Sequence, residues 1–418
     1  MREPHLALRA LLLAFLLAAP SRSPALEDPP APAAPAKVAP PAPGHPWKEA
    51  SRGKGRLEVL PSGLAVLHLE GTPEEMGDQH GALLGEEVRG LVKDYLPKVL
   101  RGPREAALLK ARALEKQIPG RHLREMRALA AAAGVTYDDV LLGSVVVELF
   151  GLHGCSAAAA SGPASSDGRT VVGRNLEWPD HGVLGRYGLV IAAKPEGLRP
   201  FLSLGFPALT GVVTGMNGDG VFTAELVAMN GAGAGREEVL RGVPWPVLLR
   251  RLLEECGTLE EAARLVRSSP LTVPQNLLLA DPRAGLVLEC AAGRCADRPQ
   301  EDGLVVVTNF WGEREEPQDF DPRYRGLCDA FRATGEAKVD GDSMEKAIRA
   351  ASSRLPASAM NLQCGVFFPA TLRARVALGR PPASNRPFAE IDGAALLGVA
   401  APADRKGADS SPPAGGGR

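Results

Sequence analysis

Residues 153–178 read HGCSAAAASGPASSDGRTVVGRNLEW, and the reading of this stretch decides the fold. A Gly-Cys pair opens a run of small residues, turn chemistry follows at Ser165 to Gly168, and a second apolar run ends in Arg-Asn-Leu-Glu-Trp. Two short strand-like runs about such a turn predict an antiparallel pair in which positions near 155 and near 175 are neighbours. A lone cysteine at a strand start is ordinarily a small packed residue. Here Gly154 leaves the preceding carbonyl open, with no side chain to block a thiol. A free cysteine titrates near about 8.5, so little of it is thiolate at neutral pH. Breaking the 154–155 peptide bond would give Cys155 a base of its own, an α-amine of pKa about 8 on the same residue. A Gly-Cys pair in mid-chain therefore fits a self-cleaving nucleophile.

Working outward, residues 57–69 predict a strand pair about the turn Pro61-Ser62-Gly63, and residues 73–150 are helical in pattern. Thr72-Pro73-Glu74-Glu75 is a helix start, with Thr72 as cap, Pro73 at the first position and Glu75 completing a capping box. Helices are predicted around 74–100, 104–118, 121–133 and 138–150. Past residue 155 the period changes to strands, in two batches separated by a helical stretch near 244–267. Further helices near 322–333 and 343–353 precede a last strand pair. Two batches of strands with helices interposed predict an α+β layered domain with two sheets.

The ends differ from this body. Arg2 and Arg9 flank the apolar run ALLLAFLLAA (10–19), and Ser23-Pro24-Ala25 offers small residues for cleavage, so 1–25 is read as a signal peptide and the protein as secreted or periplasmic. Residues 26–49, with the Pro- and Ala-rich EDPPAPAAPAKVAPPAPGHPW (27–47), form a predicted linker. Residues 401–418 have the composition of a disordered tail. The body divides into a helical N-terminal segment, 50–154, and a strand-rich part, 155–400.

A net charge of -1 over 418 residues excludes nucleic acid and anionic membrane surface as principal partners. The chain has six cysteines: Cys155, Cys256, Cys290, Cys295, Cys328 and Cys364. Cys290 and Cys295 bracket a hairpin-like Ala-Ala-Gly-Arg, a spacing that lets them pair across two strands. There is no C-x-x-C, no H-E-x-x-H and no G-x-S-x-G, and seven scattered histidines make no metal site. His68, His80 and His153 are read as structural or surface residues. The Gly231-Ala-Gly233-Ala-Gly235 stretch is read as a flexible loop. No cofactor or metal is expected.

The run Cys155…Asp167-Gly168…Gly173-Arg174-Asn175-Leu176-Glu177-Trp178 resembles the Cys…DG…GRN-x-D-W signature of N-terminal-nucleophile (Ntn) hydrolases. Within them it is most similar to the acyl-CoA:6-aminopenicillanate acyltransferase-like (C45 peptidase) family, related to penicillin V acylases and bile salt hydrolases. Other segments agree in order: Glu70 to Gly77 with His80-Gly81, Gly215-Met216-Asn217 with Gly220, Gln275-Asn276 with Ala280-Asp281-Pro282, and Val307-Thr308-Asn309-Phe310.

The resemblance implies a four-layer αββα sandwich with a helical pro-segment and Cys155 as the new N-terminus after cleavage at Gly154. It implies Arg174 beside the nucleophile, Asn309 as an oxyanion donor, and Glu177, where relatives carry Asp, holding the α-amine. A late catalytic arginine falls on Arg323, with Arg325 as competitor. Two departures stand out. Glu177 is one methylene longer than Asp, and Glu225-Leu226-Val227 occupies the place of a second catalytic asparagine, with Asn230 close by. The expected activity is that of a secreted, autoproteolytic cysteine hydrolase that cleaves a linear amide, or transfers its acyl group, through an acyl-Cys155 intermediate. Its partner is a small acyl amide or ester, with no stable membrane span, and its two chains stay associated. The alternatives are an uncleaved binding protein on the same fold and an ester-cleaving, lipase-like variant.

Overall fold

The computed structural model describes residues 46–100, 102–150, 154–229, 231, 239–312, 321–333, 338–352 and 359–405. The predicted signal peptide, most of the linker and the tail beyond 405 lie outside them, as do His153 and Asn230. Strands β1 (Ala50–Arg52), β2 (Gly55–Val59) and β3 (Ala65–Gly71) come first. Helices α1 (Pro73–Leu83), α2 (Gly85–Asp94), α3 (Leu96–Val99), α4 (Arg104–Glu115), α5 (Gly120–Ala133), α6 (Tyr137–Ser144) and α7 (Val146–Phe150) follow. The predicted cap holds: Thr72 and Glu75 form a capping box with Pro73 in the first turn. The single helix expected over 74–100 is three pieces instead. Gly85 starts the second and Pro97 is the second residue of the third, where a residue without a side chain and one without an N–H break the ladder.

The strand-rich part supplies β4 (Gly154–Ala160), β5 (Val171–Glu177), β6 (Leu189–Pro195), β7 (Phe201–Gly205), β8 (Thr214–Asn217) and β9 (Phe222–Val227). Next come α8 (Trp245–Glu255), α9 (Leu259–Ser268), β10 (Gln275–Ala280), β11 (Gly285–Ala291), β12 (Arg294–Pro299) and β13 (Leu304–Val307). The chain continues with α10 (Pro322–Arg332), α11 (Gly341–Ser352), β14 (Asn361–Phe368), β15 (Arg373–Leu378), β16 (Ala389–Asp392) and α12 (Gly393–Leu397).

Among the described residues these strands make two sheets. One has ten strands in the order β1-β2-β3-β6-β7-β8-β9-β10-β11-β12, the other six in the order β13-β4-β5-β14-β15-β16. The sheets face each other, as the Phe222–Phe367 ring contact at 4.8 Å marks. Helices α1, α5, α8 and α9 cover the outer face of the large sheet, and α10 and α11 that of the small one. The protein is thus α+β with αββα layers. The first three strands do not stand apart with the helical segment, because β3 pairs in parallel with β6, Val66 opposite Val190 through Gly71 opposite Pro195. Residues 401–405, assigned by composition to the tail, are held to the body at two points: Ala401 is buried, and Arg405, though exposed, pairs with Asp219 at 2.5 Å and donates to Gly218 O.

A charged cluster is buried between α5 and α8. Arg250 donates to both Glu125 oxygens at 2.9 and 2.5 Å, to Glu254 at 2.7 Å and to Thr210 O at 2.8 Å. His122 Nε2 lies 2.9 Å from Glu254, and Arg121 donates to Glu254 and Glu255. Alternating with apolar side chains that bury the rest of α8, these charges join the segment before residue 154 to the part after it.

Candidate active site

The hairpin β4–β5 carries the candidate residues, and its alternation sorts them. Gly154 stands opposite Glu177, Cys155 opposite Leu176, Ser156 opposite Asn175 and Ala157 opposite Arg174. Cys155, Ala157, Ala159, Val172 and Leu176 belong to the core between the sheets, while Ala158, Ala160 and Val171 pack with Met344 and Ile348 of α11. Every residue of both strands is buried, and the alanines supply side chains small enough for so crowded a strand. Since strand side chains alternate between faces, Cys155 and Arg174 point between the sheets and Glu177 points toward α10.

Arg174 is fully buried and crosses from the small sheet to the large one. It donates to Glu225 O at 2.6 Å, to Asn175 O at 2.8 Å and to Thr214 Oγ1 at 3.4 Å. Burial pushes the Cys155 thiol up to about 12, with Arg174 pulling it down and Glu225 and Glu177 pushing it further up. With burial acting on it in this way, the thiol stays protonated through the physiological range.

Asn309, two residues past β13, reaches the peptide between Gly154 and Cys155. Its Oδ1 accepts from Cys155 N at 2.7 Å and from Arg323 Nη2 at 2.9 Å, and its Nδ2 donates to Val227 O at 2.8 Å. The side-chain N–H expected to face an attacked carbonyl is thus directed at the large sheet. The physical reason is the intact peptide: Cys155 N–H is a buried donor, and the amide oxygen is its acceptor.

Arg323 organises the outer side. It donates to Glu177 Oε2 at 3.2 Å, to Asn309 Oδ1, and to both oxygens of Asp321, which also caps α10 by accepting from Arg323 N. Arg325, two residues further along α10, is exposed. Glu177 is fully buried and its Oε1 has no hydrogen-bond partner. Burial raises its carboxyl to about 7, against the pull of Arg323 and Arg174. Glu177 therefore flanks Gly154 and not the thiol.

Two further acids are near. Glu225, noted in sequence only as a missing amide, is fully buried in β9, and its carbonyl holds Arg174. Glu148 was not singled out: its Oε1 accepts from Trp245 N at 2.7 Å and Thr272 Oγ1 at 3.1 Å, and burial raises its carboxyl to about 8. The available signal was one acid in the apolar turn VVELF, six residues before Gly154. His80, as expected, is structural: it accepts from Ala208 N, and burial lowers it to about 3. Cys290 and Cys295, opposite each other on β11 and β12, form a disulfide.

An apolar cleft of about 100 Å³ opens beside the hairpin, lined among others by Tyr95, Val99, Val147, Leu176, Trp178 and Phe206. Leu176 is the cross-strand neighbour of Cys155, so the cleft begins next to the thiol. Its walls come from α2, α3, α6 and α7 on one side and from the strand-rich part on the other. Trp178 Nε1 donates to Tyr95 Oη, which donates to Pro179 O, satisfying both polar tips at the rim. Among the described residues, no helix is long and apolar enough to cross a membrane and no group of three His, Cys, Asp or Glu is arranged to hold a metal.

Residues 164–319 match the family described as acyl-coenzyme A:6-aminopenicillanic acid acyl-transferase. An uncharacterized protein of Archaeoglobus fulgidus is 29% identical over 314 residues, which are 62% of this chain and 52% of that one. The chain thus spans about half the length of that curated relative. The N-acylethanolamine-hydrolyzing acid amidase of Oryctolagus cuniculus is 25% identical over 280 residues, 63% of this chain and 74% of the amidase. Among solved structures, the Caenorhabditis elegans ortholog of that amidase is 20% identical with a TM-score of 0.44, covering 51% of this chain and 93% of the other.

Proposed function

We propose, for a chain whose residues 164–319 carry the acyl-coenzyme A:6-aminopenicillanic acid acyl-transferase domain, that it is a cysteine amidohydrolase matured by its own nucleophile. In the first reaction the Cys155 thiol attacks the Gly154 carbonyl. The carbon–nitrogen bond breaks, the nitrogen takes the proton, and a Gly154–Cys155 thioester forms. Water then hydrolyses it, leaving a Gly154 carboxylate and a Cys155 α-amine. In the second reaction that amine takes the thiol proton, the thiolate attacks an acyl amide, and the leaving amine departs with the proton. Acyl-Cys155 passes its acyl group to water, or to an acceptor amine.

The observation that carries the reading is the convergence on one peptide bond: Asn309 Oδ1 at 2.7 Å from Cys155 N, Arg323 bridging Asn309 and Glu177, and Arg174 beside the thiol. Once residue 154 is released, Asn309 Oδ1 and the Glu177 carboxylate become acceptors for the new ammonium, and Arg174 is the nearest cation to the developing thiolate. The apolar cleft beginning at Leu176 supports an apolar acyl group on the substrate. Export to an oxidising compartment agrees with the Cys290–Cys295 disulfide and favours water as acyl acceptor.

Mass and N-terminal sequencing of the purified protein test the maturation: a new N-terminus at Cys155 is expected, and an intact chain in active protein would overturn it. Turnover of N-acyl amides of increasing chain length tests the cleft, kcat/KM rising with length until the cleft is filled. The competing reading, an uncleaved binding protein, is favoured by the complete burial of the Cys155 thiol, which disfavours the thiolate. Binding of acyl amides without any turnover would select it.

A further inference from the structure

Gly154 is buried, and its φ is not among the positive values that reserve a position for glycine. The four alanines that follow Ser156 show that this strand tolerates a β-carbon. The constraint at 154 is therefore one of contact. A β-carbon built there would lie 2.9 Å from Arg323 Nη1, 3.2 Å from Glu177 Cβ and 3.4 Å from Glu177 Oε2. The end of an arginine ordinarily swings away at little cost. This one is fixed at both oxygens of Asp321, at Glu177 and at Asn309, with its side chain 12% exposed. Moving it would part Glu177 Oε2 from the guanidinium and take from Asn309 Oδ1 the Arg323 donor.

We propose that the Arg323–Glu177 pair is a steric gauge for the residue before the nucleophile: seated on the Gly154 Cα, it admits glycine alone and thereby fixes the scissile carbonyl relative to the Cys155 thiol. This rests on the self-cleavage reading and extends it by giving Arg323 and Glu177 a positioning role in maturation. A larger residue at 154 forces the arginine off its acid, the Asn309 hold on Cys155 N slackens, and the carbonyl leaves the line of attack. Misplacement on the order of an ångström is worth about a hundredfold in rate.

The experiment uses the full chain with Gly154→Ala and Gly154→Val, each with Arg323 and with Arg323→Lys. Self-cleavage is followed by denaturing gel and intact mass. Gly154→Ala is expected to slow cleavage about a hundredfold and Gly154→Val to stop it. Arg323→Lys, which lacks the fork that meets the new methyl, should relieve at least about tenfold of the Ala penalty, so the two effects do not multiply. In a Cys155→Ala background, which cannot cut, Gly154→Ala should lower Tm by about 2–5 °C, relieved again by Arg323→Lys. Cleavage of Gly154→Ala at the wild-type rate, losses that simply multiply, or an unchanged Tm in the uncuttable background would each overturn the gauge. A wild-type chain that stays whole, with the Tm coupling present, would instead take down the self-cleavage reading and leave the steric coupling standing.

Discussion

Two clusters of buried charge lie on either side of the large sheet, and their chemistry is opposite. Around Arg250 the donors and acceptors close on one another. Its guanidinium meets Glu125, Glu254 and Thr210 O, and no side chain of the Arg250, Glu125, Glu254 and His122 set is more than 4% exposed. Burial works against the charge of Glu254, yet Arg250 and His122 outweigh it and hold that carboxyl well below the ordinary range. Around Cys155 the same ingredients are left open: Glu177 keeps an oxygen without a partner and rises to about 7, and the thiol rises to about 12. A closed network holds its protonation fixed and gives cohesion. An open one leaves groups whose protonation can change during a reaction.

That contrast can be broken at its strongest point first. Cys155→Ala should abolish self-cleavage and lower turnover by about 10⁴-fold or more, with the fold retained. Chromatography and activity on an acyl amide check it, and residual turnover near wild type would remove the open cluster from catalysis. On the closed side, Arg250→Ala strands Glu125 and Glu254 and should cost about 3–5 kcal/mol of stability. Chemical denaturation reads this, and kcat of the protein that remains folded should stay within a few-fold of wild type.

A pH series sharpens the difference further. The Glu177 carboxyl sits at about 7 in the folded chain against an ordinary 4.5. Between those values the folded state keeps a proton that the unfolded state has released, so its contribution is fully present below 4.5 and is lost as pH rises through about 7. The upper bound for this slope is about 3 kcal/mol. Glu177→Gln should flatten it, leaving the part due to Glu148, which runs on to about 8. Denaturation midpoints at pH 5, 6, 7 and 8 for both proteins decide the matter, and parallel curves would mean that Glu177 is ionised in the folded chain.

The smallest expected effect separates two uses of one amide. Asn309→Ala should reduce kcat about a hundredfold with a lesser change in KM. Asn309→Asp keeps the acceptor facing Cys155 N and loses the donor. Retention of self-cleavage in Asn309→Asp would assign Asn309 to holding that nitrogen, and loss of both reactions would return it to an oxyanion role.

Much of this was legible in the residues. The Thr72–Glu75 capping box, the turn between β2 and β3, the β4–β5 hairpin and the Cys290–Cys295 pairing are all local, and local chemistry determines them. The convergence of Arg174, Asn309 and Arg323 on Cys155 came from the resemblance, because no spacing rule joins residues so far apart. Parity within the hairpin was readable but unused: with Cys155 opposite Leu176, Glu177 must face away from the thiol. The parallel β3–β6 pair escaped, since its register is set through a long crossover. The Arg250 cluster escaped too, because its only local trace is the Arg250 to Glu254 spacing on an otherwise apolar helix.

The seating of β3 against β6 would give a chain that cuts itself at 154 a one-way history. The ten-stranded sheet takes its first three strands from before residue 154 and the rest from after it. While the peptide is whole, bringing those strands together is a first-order event whose rate ignores how much protein is present. Cut once at 154, the same sheet is shared by two polypeptides, and a molecule that opens fully must find its other half by collision. Renaturation of the matured form then depends on concentration while that of the Cys155→Ala chain does not, so a dilution series of refolding yields records whether a given molecule has already been cut.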